Sequence, residues 1–257
     1  MATDFFPQRP NAHPMIYAYE DTNPQYQGLL KVGYTAIDVD KRVAQQYPTK
    51  RPDGSVPYRI VYRESAMYPD GSSFTDHDVH RVLKRKQIPC MGGEWFRCRV
   101  KDVQAAVLAV KNHTGNAENR VNSFSMRPEQ QKAVDKTAAY FQSAYDEDST
   151  RCPKFLWNCK MRFGKTFAAY QLAKRMGFKR ILILTFKPAV VSAWQEDLNS
   201  HIDFEGWQFI SRNTELTYET ADKSRPIVCF GSFQDYLGVN KETGGIKAKN
   251  EWVHSTN

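Results

Sequence analysis

A short phosphate-binding pattern is the strongest chemical signal in this 257-residue sequence. Residues 159–166 read CKMRFGKT, which matches the loop pattern G-x-x-x-x-G-K-[ST] at Gly164, Lys165 and Thr166 but has Cys159 in place of the first glycine. In such a loop, backbone N–H groups at a helix N-terminus hold phosphate oxygens. The lysine reaches the β- and γ-phosphates, and the threonine hydroxyl is a Mg²⁺ ligand. The alternative is a chance Gly-Lys-Thr at the start of an ordinary helix.

Three further segments accompany this loop in a fixed order. A helix-forming segment with Gln130 precedes it, residues 181–198 run from a strand into a helix, and residues 228–238 carry a Ser-Phe-Gln block after a strand. With the loop they resemble the first RecA-like domain of superfamily 2 helicases, particularly the DEAD/DEAH-like motor subunits of restriction enzymes. The resemblance implies that Gln130 contacts adenine and that Lys165 and Thr166 bind the phosphates of ATP and Mg²⁺. It also implies that the segments after the later strands touch the DNA backbone.

The motor pattern is incomplete in two places. Arg162 and Phe163 stand where the family usually has small residues, and no acidic Asp-Glu pair that would hold Mg²⁺ follows the loop. The acidic run at residues 146–148 precedes the loop and lies in a predicted turn. We therefore expect an N-terminal fragment of a longer protein, which ends at Asn257 before the acidic strand and a second RecA-like lobe. Such a fragment would not hydrolyse ATP by itself.

The N-terminal half carries residues suited to phosphodiester hydrolysis. That reaction needs a general base for the attacking water, a cation near the phosphate and a metal at the leaving oxygen. Four candidate groups occur in order along short predicted elements: Tyr17 in MIYAYE, Lys31 in KVGYT, Arg42 in the following helix and Glu94 in GGEWF. Because Glu94 is a single carboxylate, it suits a site with one metal ion.

This layout resembles the GIY-YIG endonuclease superfamily over about residues 13–110, in a branch whose second strand reads K-[IV]-G-Y-T. The resemblance implies that Tyr17 lies near the attacking water, that Arg42 binds the scissile phosphate and that Glu94 ligates Mg²⁺. Lys31 replaces the family's second tyrosine. Its ammonium group would activate the base or contact phosphate.

Two more residues are candidates for the same centre. Tyr34 lies three residues after Lys31 and could have taken over one of the two tyrosine functions. His80 lies four residues before Lys84, on the same face of a predicted helix, from which it could approach the scissile phosphate. Both are expected to join the catalytic set.

Each of these groups also has a purely structural interpretation. Tyr17 alternates with apolar residues and could be a core tyrosine. Arg42 could be an ordinary exposed arginine, and Glu94 a solvated loop carboxylate. His80 could be a structural or an exposed residue.

A zinc site and a basic helix face are further possibilities. The set His77, His80, Cys90 and Cys98 has no spacing known from common zinc modules, which usually carry C-x₂₋₄-C pairs. The basic stretch at residues 81–86 is either a solvated helix face or a set of phosphate contacts.

Short strands and helices must position the candidate nuclease residues of the N-terminal half. Strands are predicted over residues 15–20, 29–35 and 58–66, from their alternating apolar pattern. Helices are predicted over residues 39–47, with Asp38 as the N-cap, and over 78–88 and 103–110. The order is ββαβαα, which is too small and mixed for a barrel.

The second half alternates continuous apolar strands with helices. Strands are predicted over residues 154–159, 180–185 and 226–230. Helices are predicted from Pro128, over 165–176 and near 190–198. This pattern is typical of a parallel sheet covered on both faces.

Composition limits the class of protein. The chain has 36 Lys and Arg against 28 Asp and Glu, a net charge of +8, with 41% hydrophobic residues. A largely disordered chain is excluded, and attraction to a polyanion is favoured. No apolar run approaches the ~20 residues that span a bilayer, and the N-terminus does not resemble a secretory signal. Five scattered cysteines without a C-x-x-C pair fit a reducing compartment, so we expect a cytoplasmic protein with no membrane partner.

We therefore predict an α/β protein with two modules. Residues 1–12 are a tail, residues 13–112 a small mixed α+β GIY-YIG-like nuclease domain, residues 113–125 a linker and residues 126–257 an incomplete RecA-like P-loop domain with a parallel sheet. The predicted function is Mg²⁺-dependent cleavage of double-stranded DNA, joined to an ATP-dependent DNA helicase or translocase in restriction or phage defence. Expected cofactors are Mg²⁺ and ATP, and an expected partner is a methyltransferase or specificity subunit. The alternatives are a non-catalytic DNA-binding module that docks a DNA motor, and a phosphate-binding ATPase unrelated to DNA.

Overall fold

The fold is seen in a computed structural model that describes residues 13–49, 51–186 and 188–233. The predicted tail, residues 1–12, lies outside the described residues, as does Gln234 of the Ser-Phe-Gln block. None of the helices in the described ranges is long and apolar enough to cross a bilayer.

The first compact unit, Met1–Val121, is built on a five-stranded antiparallel sheet. Its strands are β1 (Met15–Asp21), β2 (Leu30–Thr35), β3 (Tyr58–Ser65), β4 (Cys90–Gly92) and β5 (Trp95–Phe96). Their spatial order is β3-β1-β2-β5-β4. The three longer strands confirm the predicted ones, whereas the β4–β5 hairpin was not predicted because its strands are only three and two residues long.

Helices cover both faces of this sheet. They are α1 (Val39–Gln46), α2 (Asp76–Arg85) and α3 (Val100–Lys111). The predicted cap of α1 is confirmed, because the Asp38 carboxylate accepts a hydrogen bond from the Lys41 N–H at 3.0 Å. Side chains alternate along β1, so Ile16 joins the core formed with α2 and α3, while Tyr17 joins the core formed with α1.

The second compact unit, Asn122–Asn257, contains a parallel sheet of three described strands. The strands are β6 (Arg180–Thr185), β7 (Gln208–Ile210) and β8 (Ile227–Ser232), in the spatial order β6-β8-β7. The helices are α4 (Pro128–Glu147), α5 (Lys165–Arg175) and α6 (Val191–Ser200). The parallel pairing of β6 and β8 confirms the predicted sheet type, and β7 is an additional short strand.

The strand predicted over residues 154–159 is wrong. Residues 151–160 have no regular secondary structure, and the side chain of Leu156 is 87% exposed. This segment is attached instead through Trp157, whose Nε1 donates to Oγ1 of Thr137 on α4 at 2.7 Å. An apolar run becomes a strand only where a neighbouring strand takes its backbone hydrogen bonds, and no described strand pairs with it. The specific RecA-like arrangement, in which such a strand leads into the phosphate loop, is therefore not reproduced by the described residues.

Candidate functional site

Tyr17, on β1, lies against the backbone of β2 at Gly33, its partner in the antiparallel ladder. A Cβ atom at Gly33 would lie 2.7 Å from both Cζ and Oη of Tyr17, so only glycine leaves room for the ring. The ring is 1% exposed and packs beneath α1 with Val39 and Val43. Tyr17 is therefore a core residue through its ring, and its hydroxyl group is the part left for chemistry.

Gln46, the last residue of α1, joins Tyr17 to Lys31. Its Oε1 accepts hydrogen bonds from Lys31 Nζ and from the Tyr19 hydroxyl, each at 2.7 Å, and its Nε2 donates to the Tyr17 hydroxyl at 2.9 Å. Because an ammonium group can only donate, Lys31 determines which way the Gln46 amide faces. The Tyr17 oxygen then accepts from Gln46, and its own proton is left to donate elsewhere. The sequence prediction missed Gln46, although its place four residues after Arg42, on the same helix face, was a usable signal.

Tyr17, Lys31 and Gln46 form a cluster, and Glu94 reaches it from the β4–β5 hairpin. Gly92 and Gly93 precede it with φ angles of 127° and 55°, a backbone conformation that favours glycine. The Glu94 carbonyl accepts a hydrogen bond from the Val32 N–H at 2.9 Å, which aligns the hairpin with β2. Its Oε2 lies 3.5 Å from Nζ of Lys31, and its side chain is 40% exposed. Glu94 therefore offers a carboxylate to solvent beside an ammonium group.

The electrostatics of Tyr17 connect the four principal candidates. Burial raises the pKa of Tyr17 above its ordinary value, hydrogen bonds with Gln46 and Arg42 lower it in part, and the nearby Glu94 carboxylate raises it. The phenol is therefore neutral at neutral pH. Arg42 is exposed, whereas the side chain of Lys31 is largely buried. The structure thus brings Tyr17, Lys31, Arg42 and Glu94 together, with the charged groups nearer to solvent than the phenol.

Tyr34 and His80 lie on the opposite face of the sheet. Tyr34 packs against the core formed with α2 and α3, because its odd separation from Lys31 sends the two side chains to opposite faces. His80 is buried, and its Nε2 forms a hydrogen bond with the carbonyl oxygen of Val32 at 2.7 Å. The structure does not bring either residue to the cluster. His80 instead contacts β2 on the sheet face opposite Tyr17.

Arg63, on β3, is a second guanidinium beside the cluster that no local motif indicated. It lies opposite Tyr17 in the β1–β3 ladder, so the two side chains project from the same face of the sheet. Its two Nη atoms donate to the two carboxylate oxygens of Asp40 on α1, each at 2.7 Å. Only the register between the strands places Arg63 there.

The residues of the alternative zinc site are not gathered into a metal centre. Among the described residues, no group of three or more His, Cys, Asp or Glu could hold a metal ion. Burial raises the pKa of the Cys98 thiol to about 12, so it stays protonated. The basic stretch lies on α2, whose buried side packs on the sheet face opposite Tyr17.

In the second unit, the predicted phosphate loop ends in a sharp transition to α5. Gly164 has a φ of 76° and a ψ of 48°, and the helix begins at Lys165 immediately after it. Arg162 also has a positive φ, 63°. The Nζ atom of Lys165 donates to the carbonyl oxygen of Lys160 at 3.3 Å, so its side chain folds back over the loop. With Thr166 in the first turn, the junction presents helix N–H groups, an ammonium group and a hydroxyl group, which are donors suited to phosphate.

Gln130 holds this loop from α4. Its Nε2 donates to the carbonyl oxygens of Phe163 at 2.8 Å and Gly164 at 3.3 Å, and its Oε1 accepts from the Arg127 N–H at 2.8 Å. The side chain is only 5% exposed. The resemblance implies that Gln130 contacts adenine. In this structure, however, both the oxygen and the nitrogen of its side-chain amide form hydrogen bonds with the protein backbone. Here Gln130 positions the loop.

Comparison with known families matches residues 15–111 to the T5orf172 domain. The chain is also 35% identical over 123 residues to a protein of Mycoplasma pneumoniae (strain ATCC 29342 / M129) named as the C-terminus of a type II restriction enzyme and methyltransferase. That stretch is 47% of this chain but only 16% of the relative, so the chain spans a small part of the relative's length. No solved structure matches. The matched domain runs from β1 to α3 and contains the whole cluster around Gln46.

Proposed function

We propose that the first unit is a Mg²⁺-dependent DNA endonuclease that acts in restriction. The observation that carries this proposal is the convergence of Tyr17, Lys31, Gln46 and Glu94 beside the exposed Arg42. The match to the T5orf172 domain covers all five residues, and the relative named as a restriction enzyme and methyltransferase supports DNA as the substrate.

Glu94 fits a Mg²⁺ site that has one protein carboxylate. Its side chain is 40% exposed, and its contact with Lys31 is a 3.5 Å ion pair that leaves oxygen lone pairs open. Mg²⁺ usually keeps several waters and is held by one or two carboxylates together with phosphate oxygens, so one carboxylate is sufficient. When bound, the metal would stabilise charge on the leaving oxygen.

The protein groups have separate tasks in this proposal. The Arg42 guanidinium binds the non-bridging oxygens of the scissile phosphate, as arginine does in paired hydrogen bonds. Gln46 holds the Lys31 ammonium beside Glu94, where it adds positive charge to the phosphate site. Because the Tyr17 phenol is neutral and its oxygen accepts from Gln46, its O–H orients the attacking water.

Plasmid nicking in the presence of Mg²⁺ tests the proposal. Glu94→Gln and Arg42→Gln should each slow nicking by about 10²-fold or more, because each removes a charged group that acts on the transition state. The matched controls are Glu20→Gln and Arg59→Gln, which break an exposed ion pair in the same sheet. Equal nicking by all five proteins would refute the catalytic assignment.

A non-catalytic DNA-binding role is the rival for the same unit. Two observations favour it: Lys31 stands where the nuclease family has a tyrosine, and Tyr17 is 1% exposed. In that case the chain would bind DNA with an affinity that falls as salt rises, and it would not cleave DNA in the presence of any divalent cation. The nicking assay and a binding assay together separate the two roles.

For the second unit we propose binding of a nucleoside triphosphate at residues 159–166, as part of an ATP-dependent DNA motor. The supporting observation is the loop geometry, with Gly164 in the left-handed region, Lys165 at the start of α5 and Gln130 bonded to the loop. Thr166 would hold Mg²⁺ with the phosphates. We expect weak binding and no hydrolysis by residues 1–257, because no Asp-Glu pair of the motor family's type follows the loop within them.

Fluorescent ATP analogues measure this binding directly. Lys165→Ala should abolish it, whereas Lys179→Ala, an exposed lysine beyond the same helix, should retain it. Equal binding by both variants would contradict the loop assignment. Hydrolysis that depends on Lys165 would contradict the expected need for an acidic pair.

A further inference from the structure

A cavity of about 340 Å³ lies within the first unit, between α2 and the turn that follows α3. Its lining includes Arg81 and Arg85 on α2, Tyr68 before that helix, and His113 and Thr114 after α3. Because α2 and α3 pack on the sheet face opposite Tyr17, the cavity is separate from the candidate nuclease centre. Its volume is at the lower end of the roughly 300–1,000 Å³ typical of ligand sites.

The charge of the lining is positive. Asp78 is its one carboxylate, and it is already engaged: Oδ2 accepts the Thr75 N–H at 3.0 Å, and Oδ1 accepts from Arg81 at 3.2 Å. Arg85 forms no ion pair with any residue that the structure describes. Its five N–H donors are therefore open to an anion, and Arg81 uses only part of its own set on Asp78.

An aromatic pair forms one wall of the cavity. The rings of Tyr68 and His113 stack with centroids 4.8 Å apart and an interplanar angle of 15°. His113 has a φ of 51°, a conformation in which glycine or asparagine is usual after a helix. The stacked imidazole therefore lines the same cavity as Arg85, on a residue with a positive φ.

We propose that this cavity binds a phosphate group through Arg85 and Arg81. Paired guanidinium groups are the side chains best suited to phosphate, because each can donate two parallel hydrogen bonds. The phosphate could belong to the backbone of a nucleic acid or to a small free ligand. Either source gives the first unit an anion site on the sheet face opposite the candidate nuclease centre.

The test uses the full chain in EDTA, so that Mg²⁺-dependent cleavage plays no part. Inorganic phosphate and, separately, a 16-base-pair duplex are titrated while the amide resonances of Thr114 and Gly115 are followed by NMR. The matched variants are Arg85→Gln in the cavity and Arg99→Gln, an exposed arginine at the other end of α3. Both remove one positive charge.

We expect saturable phosphate shifts at both amides, weakened at least about ten-fold by Arg85→Gln and unchanged within about two-fold by Arg99→Gln. If the duplex moves the same amides, the phosphate belongs to nucleic acid, and Arg85→Gln should lower the slope of log affinity against log salt by about one. If only inorganic phosphate moves them, the ligand is a free phosphate compound. Absence of shifts with both probes, or equal weakening by the two variants, overturns the proposal. Arg85→Lys keeps the positive charge but loses the paired N–H donors of the guanidinium group. Its phosphate affinity should therefore lie between those of the wild type and Arg85→Gln.

A failed nicking assay would leave this result intact, because the titrations contain no Mg²⁺. Conversely, loss of the phosphate shifts would not affect the assignment of Glu94 and Arg42.

Discussion

At the scale of single residues, Gln46 joins Tyr17 to Lys31, two groups of the candidate centre that were named from the sequence. Gln46→Ala would remove three hydrogen bonds and leave Lys31 with its ion pair to Glu94 and its contact with the Tyr19 ring. Because lost buried hydrogen bonds cost about 1–3 kcal/mol, we expect the free energy of unfolding to fall by that order. We expect DNA nicking to slow at least about ten-fold. Urea denaturation and plasmid nicking measure the two effects.

The neighbouring Gln45 is the control for this change, because it has the same side chain and is exposed on the same helix. Gln45→Ala should change the free energy of unfolding by less than about 0.5 kcal/mol and leave nicking unchanged. Should the two variants behave alike, the hydrogen bonds of Gln46 have no role in cleavage.

Gly33 controls the position of the Tyr17 ring. In Gly33→Ala the new Cβ atom would meet the Tyr17 ring at 2.7 Å, so the ring must move. Overpacking of this kind costs about 1–3 kcal/mol, and we expect a lower melting temperature together with slower nicking. Gly115→Ala is the control, since a Cβ atom there would meet nothing within 4 Å. A Gly33→Ala protein as stable as Gly115→Ala would show that the ring is free to shift.

At the scale of elements, the contact between α1 and the sheet is sensitive to alkaline pH. Burial raises the pKa of Tyr47, just after α1, to about 12, and its hydroxyl donates to Asp21 at 2.8 Å. The folded pKa therefore lies above the unfolded value of about 10. The stabilisation is complete below pH 10 and is lost as the pH rises towards 12. Burial raises the pKa of Tyr19 in the same cluster as well.

Tyr47→Phe separates the two contributions of this residue. The variant should be less stable at pH 8, by about 1 kcal/mol, because the hydrogen bond to Asp21 is lost. Its stability should then fall less steeply than that of the wild type between about pH 10 and 12. Urea denaturation across this range provides the comparison, and parallel pH curves would rule out titration of Tyr47.

The second prediction at this scale concerns residues 151–160, which precede the phosphate loop and have no regular secondary structure. Leu156 is 87% exposed, so Leu156→Ala should change the free energy of unfolding by less than about 0.5 kcal/mol. Leu198 on α6 is fully buried, and Leu198→Ala should cost about 2–5 kcal/mol. Urea denaturation measures both. A large loss at Leu156 would mean that this segment is packed as a buried strand.

At the scale of the whole molecule, the net charge of +8 predicts a salt-dependent affinity for DNA. A protein that neutralises about four phosphates should lose roughly a hundredfold in affinity between 50 and 200 mM salt. Fluorescence anisotropy with a labelled duplex in EDTA measures this, and a duplex of scrambled sequence shows how much of the binding is sequence-independent. Affinity that does not change with salt would contradict a phosphate-directed interaction.

Local sequence determined most of the helices and strands. The apolar run of β6, the Asp38 cap of α1 and the Gly-Lys junction at α5 all depend on neighbours within a few residues, so pattern alone located them. The candidate nuclease residues were identified in the same way, from short motifs on predicted elements. Their spacing also contained one unused fact: Lys31 and Tyr34, three residues apart on one strand, cannot share a face.

Only the tertiary structure decided which groups meet. Gln46 and Arg63 come to Tyr17 from a helix and from another strand, and their contacts depend on packing and register rather than on sequence distance. The run at residues 154–159 has the composition of a strand but lacks a described partner, so composition alone predicted it wrongly. His80 lies in the core, where it forms a hydrogen bond with the carbonyl oxygen of Val32. The sequence thus determined the local elements and the chemical types of the candidate groups, whereas strand pairing and packing, which join residues far apart in the chain, decided which of them form a site.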